Sequence, residues 1–238
     1  MNSSAGTLYL LPVPLSDGAA PRSCLTEAEI GRIAGLRHFI VENVRSARRF
    51  LRKVHPGFPI DECTFTVLDE HSRQADVPAM LAPLEAGEDM GVISEAGCPA
   101  VADPGADAVA VAQSRGYRVV PMVGPSSLLL ALMASGFNGQ CFAFAGYLPV
   151  DSAARQRRLR DMEGCIRRMG QTQIFIETPY RNNRLIPELC RALPGSLKLC
   201  VASDITGPRE SIVTRELSQW AKATYDYDKI PTIFLLGR

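Results

Sequence analysis

Short apolar segments alternate with amphipathic segments along the whole chain. The apolar segments are rich in β-branched and aromatic residues and have the length of strands. They span residues 7–11, 38–41, 64–68, 90–93, 117–123, 141–145, 173–177, 197–202 and 231–236. The amphipathic segments have a helical pattern and span residues 26–36, 44–54, 76–85, 106–115, 126–135, 154–169, 182–193 and 209–223. This alternation predicts an α/β fold with a largely parallel sheet.

The order of these segments predicts two domains. With 238 residues, the chain has the length of one large or two small domains. We place an N-terminal α/β domain at residues 1–120 and a C-terminal α/β domain at residues 121–238. The second contains a basic helix, a further series of strands and helices, and the last strand.

Composition narrows the class of protein. The chain is 46% hydrophobic and 21% charged, with a formal net charge of +1, which is typical of a globular protein and excludes disordered and collagen-like chains. The seven cysteines form no C-x-x-C pair and no histidine pair has zinc-ligand spacing, so we expect reduced thiols and no metal site. The start, Met1-Asn2-Ser3-Ser4, has no basic region, and no apolar run is long enough to cross a membrane. We therefore expect a soluble, cytoplasmic protein.

Arginines dominate the basic residues and concentrate in two predicted helices. Only four of the 26 basic residues are lysines. The first helix carries Arg45, Arg48, Arg49, Arg52 and Lys53, and the second carries Arg155, Arg157, Arg158, Arg160, Arg167 and Arg168. Clustered arginines are typical of a surface that binds an RNA backbone. The arginines could equally well lie on solvated helix faces, with their charge balanced by acidic residues elsewhere in the chain. Both interpretations stay open.

Two loops at predicted strand ends combine glycine, proline and polar residues. One covers residues 94–105 after the strand 90–93, and the other is Gly124-Pro125-Ser126-Ser127 at the start of an apolar helix. Ligands bind at the carboxyl ends of strands in open α/β sheets, although Ser126 or Ser127 could equally act as a helix cap. Because the G-x-G-x-x-G and P-loop patterns are absent from the sequence, a classical dinucleotide or P-loop site is not expected.

Five segments occur in the order of a known superfamily. They read LYLLPVPL, GVISEAGCPAVADPG, VVPMVGPSSLLLALMASG, FAGYLP and IFIETPYR. Together they resemble the tetrapyrrole methylase superfamily of S-adenosylmethionine-dependent methyltransferases. The most similar branch methylates a ribose 2′-hydroxyl in small-subunit ribosomal RNA, and the resemblance covers nearly the whole chain.

The resemblance implies two α/β domains, with S-adenosylmethionine in the cleft between them, and a homodimer. It implies cofactor contacts by residues from both predicted domains: Pro14, Leu15, Ser94, Gly97, Cys98, Val101, Ser126, Ser127, Ile176, Glu177, Ala202 and Thr232. The chain departs from the branch at two places. Val41-Glu42-Asn43-Val44-Arg45 replaces Ala-Glu-Asp-Thr-Arg, and Glu95-Ala96-Gly97-Cys98-Pro99 replaces Asp-Ala-Gly-Thr-Pro.

Methyl transfer requires alignment of the acceptor more than acid or base catalysis. A 2′-hydroxyl acceptor nevertheless benefits from a carboxylate or histidine within hydrogen-bond reach. We select Glu42 as the candidate base and Arg45 as the residue that holds a phosphate or orients the carboxylate. Glu70, His71 and Glu177 are alternatives, and each of these side chains could instead be an ordinary surface or loop residue.

Three functions remain open from sequence alone. The first is a methyltransferase that acts on structured RNA of the small ribosomal subunit. The second is a methyltransferase for a tetrapyrrole such as a cobalamin precursor, whose carboxylates would also suit arginines. The third is a catalytically silent module that retains the cofactor site, which the changes at Asn43 and Glu95 suggest.

Overall fold

The computed structural model describes residues 5–16 and 18–238. The segment Met1-Asn2-Ser3-Ser4, for which the sequence shows no basic region, therefore lies outside the described residues. The chain divides after Ser126 into two compact units, six residues beyond the predicted division at 120/121. None of the helices in the described ranges is long and apolar enough to cross a membrane.

The first unit contains a parallel sheet. Its strands are β1 (Thr7–Leu11), β2 (His38–Val41), β3 (Thr64–Val67), β4 (Met90–Ile93) and β5 (Arg118–Pro121). Their order across the sheet is β3-β2-β4-β1-β5, and every neighbouring pair is parallel. The helices are α1 (Glu27–Gly35), α2 (Val44–Val54), α3 (Val77–Met80), α4 (Ala82–Glu85) and α5 (Gly105–Ser114).

Both faces of this sheet are buried. Side chains of β1 alternate between two apolar clusters: Tyr9 and Leu11 pack into one with Leu51 of α2, and Leu8 packs into the other with Ala108 of α5. Helices on both faces explain why the strands are continuous apolar runs. Because the strands are parallel, the loops that follow β1, β2, β4 and β5 all leave the sheet at the carboxyl-terminal ends of its strands.

The second unit contains a mixed sheet. Its strands are β6 (Phe142–Tyr147), β7 (Thr172–Ile176), β8 (Lys198–Ser203), β9 (Ser211–Glu216) and β10 (Thr232–Gly237), in the order β6-β7-β10-β8-β9. Only the β6–β7 pair is parallel among these neighbours. The helices are α6 (Ser127–Ser135), α7 (Ser152–Met169), α8 (Asn182–Ala192) and α9 (Leu217–Trp220). The prediction of a largely parallel sheet is therefore correct for the first unit and wrong for the second.

Two predicted helices differ from the structure. Residues 209–223 form β9 and the short helix α9, because the β-branched segment Ser211–Glu216 pairs antiparallel with β8 as a hairpin. Residues 76–85 form two short helices in place of one. Pro83 lies at the start of α4, since proline lacks the amide proton that a continuous helix would need there.

Candidate functional site

The loops after β1 and β4 are joined by their backbones. The amides of Val13 and Gly97 each donate to the carbonyl oxygen of the other residue at 2.9 Å. Gly97 has a φ of +74°, and an added Cβ would lie 3.2 Å from Leu15 Cδ2. Glycine suits this position because it alone adopts such a backbone at little cost. The structure therefore brings the predicted residues Pro14, Leu15 and Gly97 together.

The loop after β5 packs against the same pair of loops. The Cys98 thiol lies 3.8 Å from the carbonyl oxygen of Gly124 and 3.4 Å from that of Pro125. Burial raises the pKa of Cys98, so the side chain stays a neutral thiol that can donate weakly to these oxygens. The predicted Ser126 ends this loop, and Ser127 is the first residue of α6 in the second unit.

An aspartate missed in the sequence shapes the loop after β4. Asp103 Oδ1 accepts hydrogen bonds from the amides of Ala100, at 3.0 Å, and Gly105, at 2.8 Å. Ala100 and Ala102 have φ values of 66° and 62°, a conformation that costs energy for alanine and needs such support. Val101, between them, is 49% exposed, whereas the predicted residue Ser94 at the start of this loop is buried. An Asp-Pro-Gly sequence before a helix is the signal that could have identified Asp103.

Glu42 lies where the loops after β2 and β4 meet. Its Oε1 accepts a hydrogen bond from the Glu95 amide at 3.0 Å, and the Ser46 hydroxyl donates to the Glu95 carboxylate. Partial burial raises the pKa of Glu42, and the carboxylates of Asp103 and Glu95 raise it further, against the opposing effect of the amide hydrogen bond. A carboxylate of raised pKa is a better proton acceptor than an ordinary glutamate.

Arg45 stands in the first turn of α2, three residues after Glu42. Asn43 caps this helix, since its Oδ1 accepts from the amides of Arg45 at 2.8 Å and Ser46 at 3.3 Å. The aspartate of the ribose-methylating pattern could make the same cap. The change to asparagine therefore keeps the local structure and removes one negative charge.

The alternatives Glu70 and His71 lie in a solvent-exposed turn after β3. Their side chains are 85% and 84% exposed, and they approach each other at 3.6 Å. The turn is held by Asp69, whose Oδ1 accepts from the His71 amide at 3.0 Å and the Ser72 hydroxyl at 2.9 Å. Such exposed groups suit catalysis less well than the half-buried Glu42.

The two arginine clusters differ in the structure. On α2, the outward residues line an open groove of about 590 Å³: Arg45, Arg48, Arg49, Arg52 and Lys53. On α7, the prediction that Arg155 belongs to a solvent-facing basic surface is wrong. It is 8% exposed, its Nε lies 2.6 Å from Glu188 Oε1, and its Nη1 donates to the Pro149 carbonyl at 3.1 Å. Glu188 is 33 residues away, so this pairing depends on the tertiary fold.

Three predicted residues of the second unit occupy one end of its sheet. Ile176 and Ala202 both pair with Ile233, and Thr232 precedes Ile233 in β10. Glu177 follows directly and is buried. Its Oε1 accepts from the Thr178 amide at 2.8 Å, and its Oε2 lies 3.5 Å from Arg181 Nη2 with no hydrogen-bond donor among the described residues. Ile176, Glu177, Ala202 and Thr232 therefore lie together at one end of the sheet of the second unit.

Asn182, which sequence reasoning missed, anchors the segment before β10. It is fully buried at the start of α8. Its Nδ2 lies 3.1 Å from the Tyr227 carbonyl oxygen, 2.7 Å from the Ile230 carbonyl oxygen and 3.1 Å from Thr232 Oγ1. One amide group thus fixes the chain that carries Thr232 into the sheet.

We expect Asn182→Ala to lower the free energy of unfolding by about 2–3 kcal/mol, because it removes the hydrogen bonds that the buried Nδ2 donates to the segment before β10. Urea unfolding at unchanged m-value measures this loss. Asn182→Asp should destabilise the protein as well, since a carboxylate accepts hydrogen bonds and cannot donate them. A loss below about 0.5 kcal/mol in both variants, the range of an ordinary surface substitution, would contradict the anchoring role.

Two curated relatives, which share one name, align with most of the chain. No family model matches it. The ribosomal RNA small subunit methyltransferase I of Mesorhizobium japonicum is 37% identical over 210 residues, which are 88% of this chain and 67% of the relative. The protein of that name from Pseudomonas aeruginosa is 29% identical over 239 residues, which are 98% of this chain and 79% of the relative.

Solved methyltransferases share the fold. The methyltransferase CobJ has a TM-score of 0.63 and 17% identity, over 99% of this chain and 95% of its own. A uroporphyrin-III C-methyl transferase from Thermus thermophilus complexed with S-adenyl homocysteine has a TM-score of 0.55 and 18% identity, over 98% of both chains. These structures confirm the predicted fold with two α/β domains. With an identity of 37% to a relative of which it covers 67%, the chain belongs to the ribosomal RNA small subunit methyltransferase I family, and it shares the fold of these solved methyltransferases.

Proposed function

We propose that this protein transfers the methyl group of S-adenosylmethionine to a ribose 2′-hydroxyl of small-subunit ribosomal RNA. Family membership supports the methyltransferase activity and the RNA substrate. The observation that carries the choice of a hydroxyl acceptor is Glu42, a half-buried carboxylate of raised pKa at the edge where the predicted cofactor loops meet. An alcohol must lose its proton when it is methylated, and Glu42 is the group placed to accept that proton.

The residues present fit the cofactor. Backbones of three loops meet at Val13, Gly97 and Gly124, where an added Cβ on Gly124 would lie 2.1 Å from Pro12 Cβ. Such close approach leaves main-chain groups and short side chains to contact a flat, polar ligand. In the second unit, the buried Glu177 oxygen without a hydrogen-bond donor among the described residues suits an amino group of the cofactor.

When bound, the cofactor supplies an electrophilic methyl group on a sulfonium. The roles of the chain's own residues follow from their positions. Pro14, Leu15, Gly97, Cys98, Val101 and Ser126 would contact the cofactor from the first unit, with Ser94 in support. Ser127, Ile176, Glu177, Ala202 and Thr232 would do so from the second. Because Ala202 is fully buried, its contribution is the backbone.

Glu42 would act as the base and Arg45 would hold the RNA next to it. The carboxylate accepts the hydroxyl proton, and the Glu95 amide at 3.0 Å keeps the carboxylate in place. The exposed Arg45 guanidinium suits a neighbouring phosphate. We also propose that the protein is cytoplasmic and that its active form is a homodimer. The resemblance implies the homodimer, and light scattering on the purified protein tests it.

Labelled-methyl transfer tests this function directly. We expect purified protein to label small ribosomal subunits from cells that lack its gene, with the label in 2′-O-methyl nucleosides after digestion. The same assay with uroporphyrin-type tetrapyrroles should give no product. Label in the tetrapyrrole would replace the proposal by the second function, and saturable binding of S-adenosylhomocysteine without transfer to either would indicate a silent module.

A further inference from the structure

We infer that the outward face of α2 is a phosphate-binding groove, which holds consecutive phosphates of the RNA strand that carries the acceptor. This inference rests on the proposed function. It assigns RNA contact to one of the two arginine clusters and places the strand along α2.

The groove is lined by basic side chains alone. Arg45, Arg48, Arg49, Arg52 and Lys53 surround about 590 Å³ of open space. Within residues 5–16 and 18–238, only Arg48 of the four arginines makes an ion pair, to Asp61 at 3.0 Å. Arg45, Arg49 and Arg52 are exposed and available for phosphate oxygens.

The spacing of these basic residues destabilises α2 when no RNA is bound. Arg45 and Arg49, Arg48 and Arg52, and Arg49 and Lys53 are like charges four positions apart, and such pairs destabilise a helix. The inward face of α2 already supplies the apolar contacts through Ala47, Phe50, Leu51 and Val54. Packing therefore does not require arginine on the outward face, whereas a polyanionic ligand would remove the repulsion.

The groove leads to the candidate site. Arg49 and Lys53 also line a cavity of about 60 Å³, together with Pro14, Ser46 and Glu95. Pro14 belongs to the proposed cofactor loop, and the Glu95 amide binds Glu42. Arg45 and Arg52 are separated by about 10 Å along the helix, at 1.5 Å per residue. This length is about two helical turns, so the guanidinium groups can contact more than one phosphate.

The α7 cluster has a different character. Arg155 is committed to Glu188, and Arg167 Nε lies 2.8 Å from Glu163 Oε1 one turn away. Arg157, Arg158, Arg160 and Arg168 are exposed, but Asp161 and Glu163 share their helix. These residues serve as the matched control, because they are basic, helical and exposed, and lie in the other unit.

The experiment compares two double variants of the full chain. In Arg49→Gln/Arg52→Gln, we expect about tenfold weaker binding of a fluorescent 12-nucleotide single-stranded RNA. The slope of log K against log salt concentration should fall by about 1.4, which corresponds to two phosphate contacts on a single strand. In transfer assays, KM for small ribosomal subunits should rise while kcat changes less than about threefold. Arg157→Gln/Arg160→Gln should leave affinity and slope within about twofold of the wild-type values.

Several outcomes would overturn the inference. One is an unchanged salt slope in the α2 variant, and another is an equal or larger loss of RNA affinity in the α7 variant. The third is displacement of the RNA by micromolar uroporphyrin together with unchanged RNA affinity in the α2 variant. Thermal melting confirms that both variants fold. Failure of the proposed function gives a different result, namely RNA binding that depends on α2 without methyl transfer to ribosomal subunits.

Discussion

Replacement of Glu42 by glutamine is expected to lower kcat for methyl transfer to small ribosomal subunits by about 10²–10⁴-fold, the usual contribution of a positioned general base. Glutamine cannot accept the hydroxyl proton. It does retain a side-chain oxygen that can accept from the Glu95 amide, now 3.0 Å from Glu42 Oε1. The initial rate of labelled-methyl incorporation, with saturating cofactor and RNA, measures the effect.

Stability separates this catalytic role from a structural one. The pKa of Glu42 is raised in the folded protein, so its contribution to stability is present at low pH and is lost as pH rises through that raised pKa. At neutral pH the ionised carboxylate therefore costs stability, and glutamine removes this cost. We expect Glu42→Gln to melt at or above the wild-type temperature while it loses activity.

The pH profile gives a second measurement of the same group. Wild-type kcat/KM should fall as pH decreases through the Glu42 pKa, and the acid limb should lie above the pKa of an ordinary glutamate because of burial and the carboxylates of Asp103 and Glu95. The control Glu70→Gln changes an exposed carboxylate and should leave rate and profile unaltered. Activity within threefold of wild type in Glu42→Gln would show that Glu42 is not the base.

Local pattern was sufficient to predict elements that are buried in a regular environment. The predicted bounds of β1, β2, β4 and α2 agree with the structure. The three strands lie inside a sheet covered on both faces and are therefore short continuous apolar runs. Helix α2 has one apolar and one basic face, which gives a helical periodicity. The prediction of a helix over the β9 segment was wrong because its apolar residues fit a helix as well as a strand. The pairing of this segment with β8 makes it a strand.

The candidate site shows the same division between local and long-range information. Glycine and proline at a strand end identified the loop that contains Gly97, whereas Pro14 was identified through the family resemblance. The sequence could not show that Val13 pairs with Gly97, since this bridge closes a separation of 84 residues. The Glu42 contact with the Glu95 amide and the Arg155 contact with Glu188 also join distant positions, and they determine which charged groups are free for substrate.

Close contact between the loops after β1 and β5 leads to the second large expected effect. An added Cβ on Gly124 would lie 2.1 Å from Pro12 Cβ and 2.4 Å from Pro12 Cγ. The proline ring has no alternative rotamer that would relieve this clash, so Gly124→Ala must move the two loops apart. Overpacking of this kind costs about 1–3 kcal/mol.

We expect Gly124→Ala to raise the Kd for S-adenosylhomocysteine at least tenfold, because the loops that carry Pro14 and Ser126 would no longer keep their present separation. Isothermal titration calorimetry measures the affinity, and thermal melting measures the accompanying loss of stability. The matched control is Gly139→Ala, at a position where an added Cβ meets no atom within 4 Å and where φ is not positive. This control should bind the ligand like wild type. Unchanged affinity in a folded but destabilised Gly124→Ala protein would mean that the spacing of these loops serves the fold alone, and the cofactor contacts of Pro14 and Ser126 would have to be withdrawn.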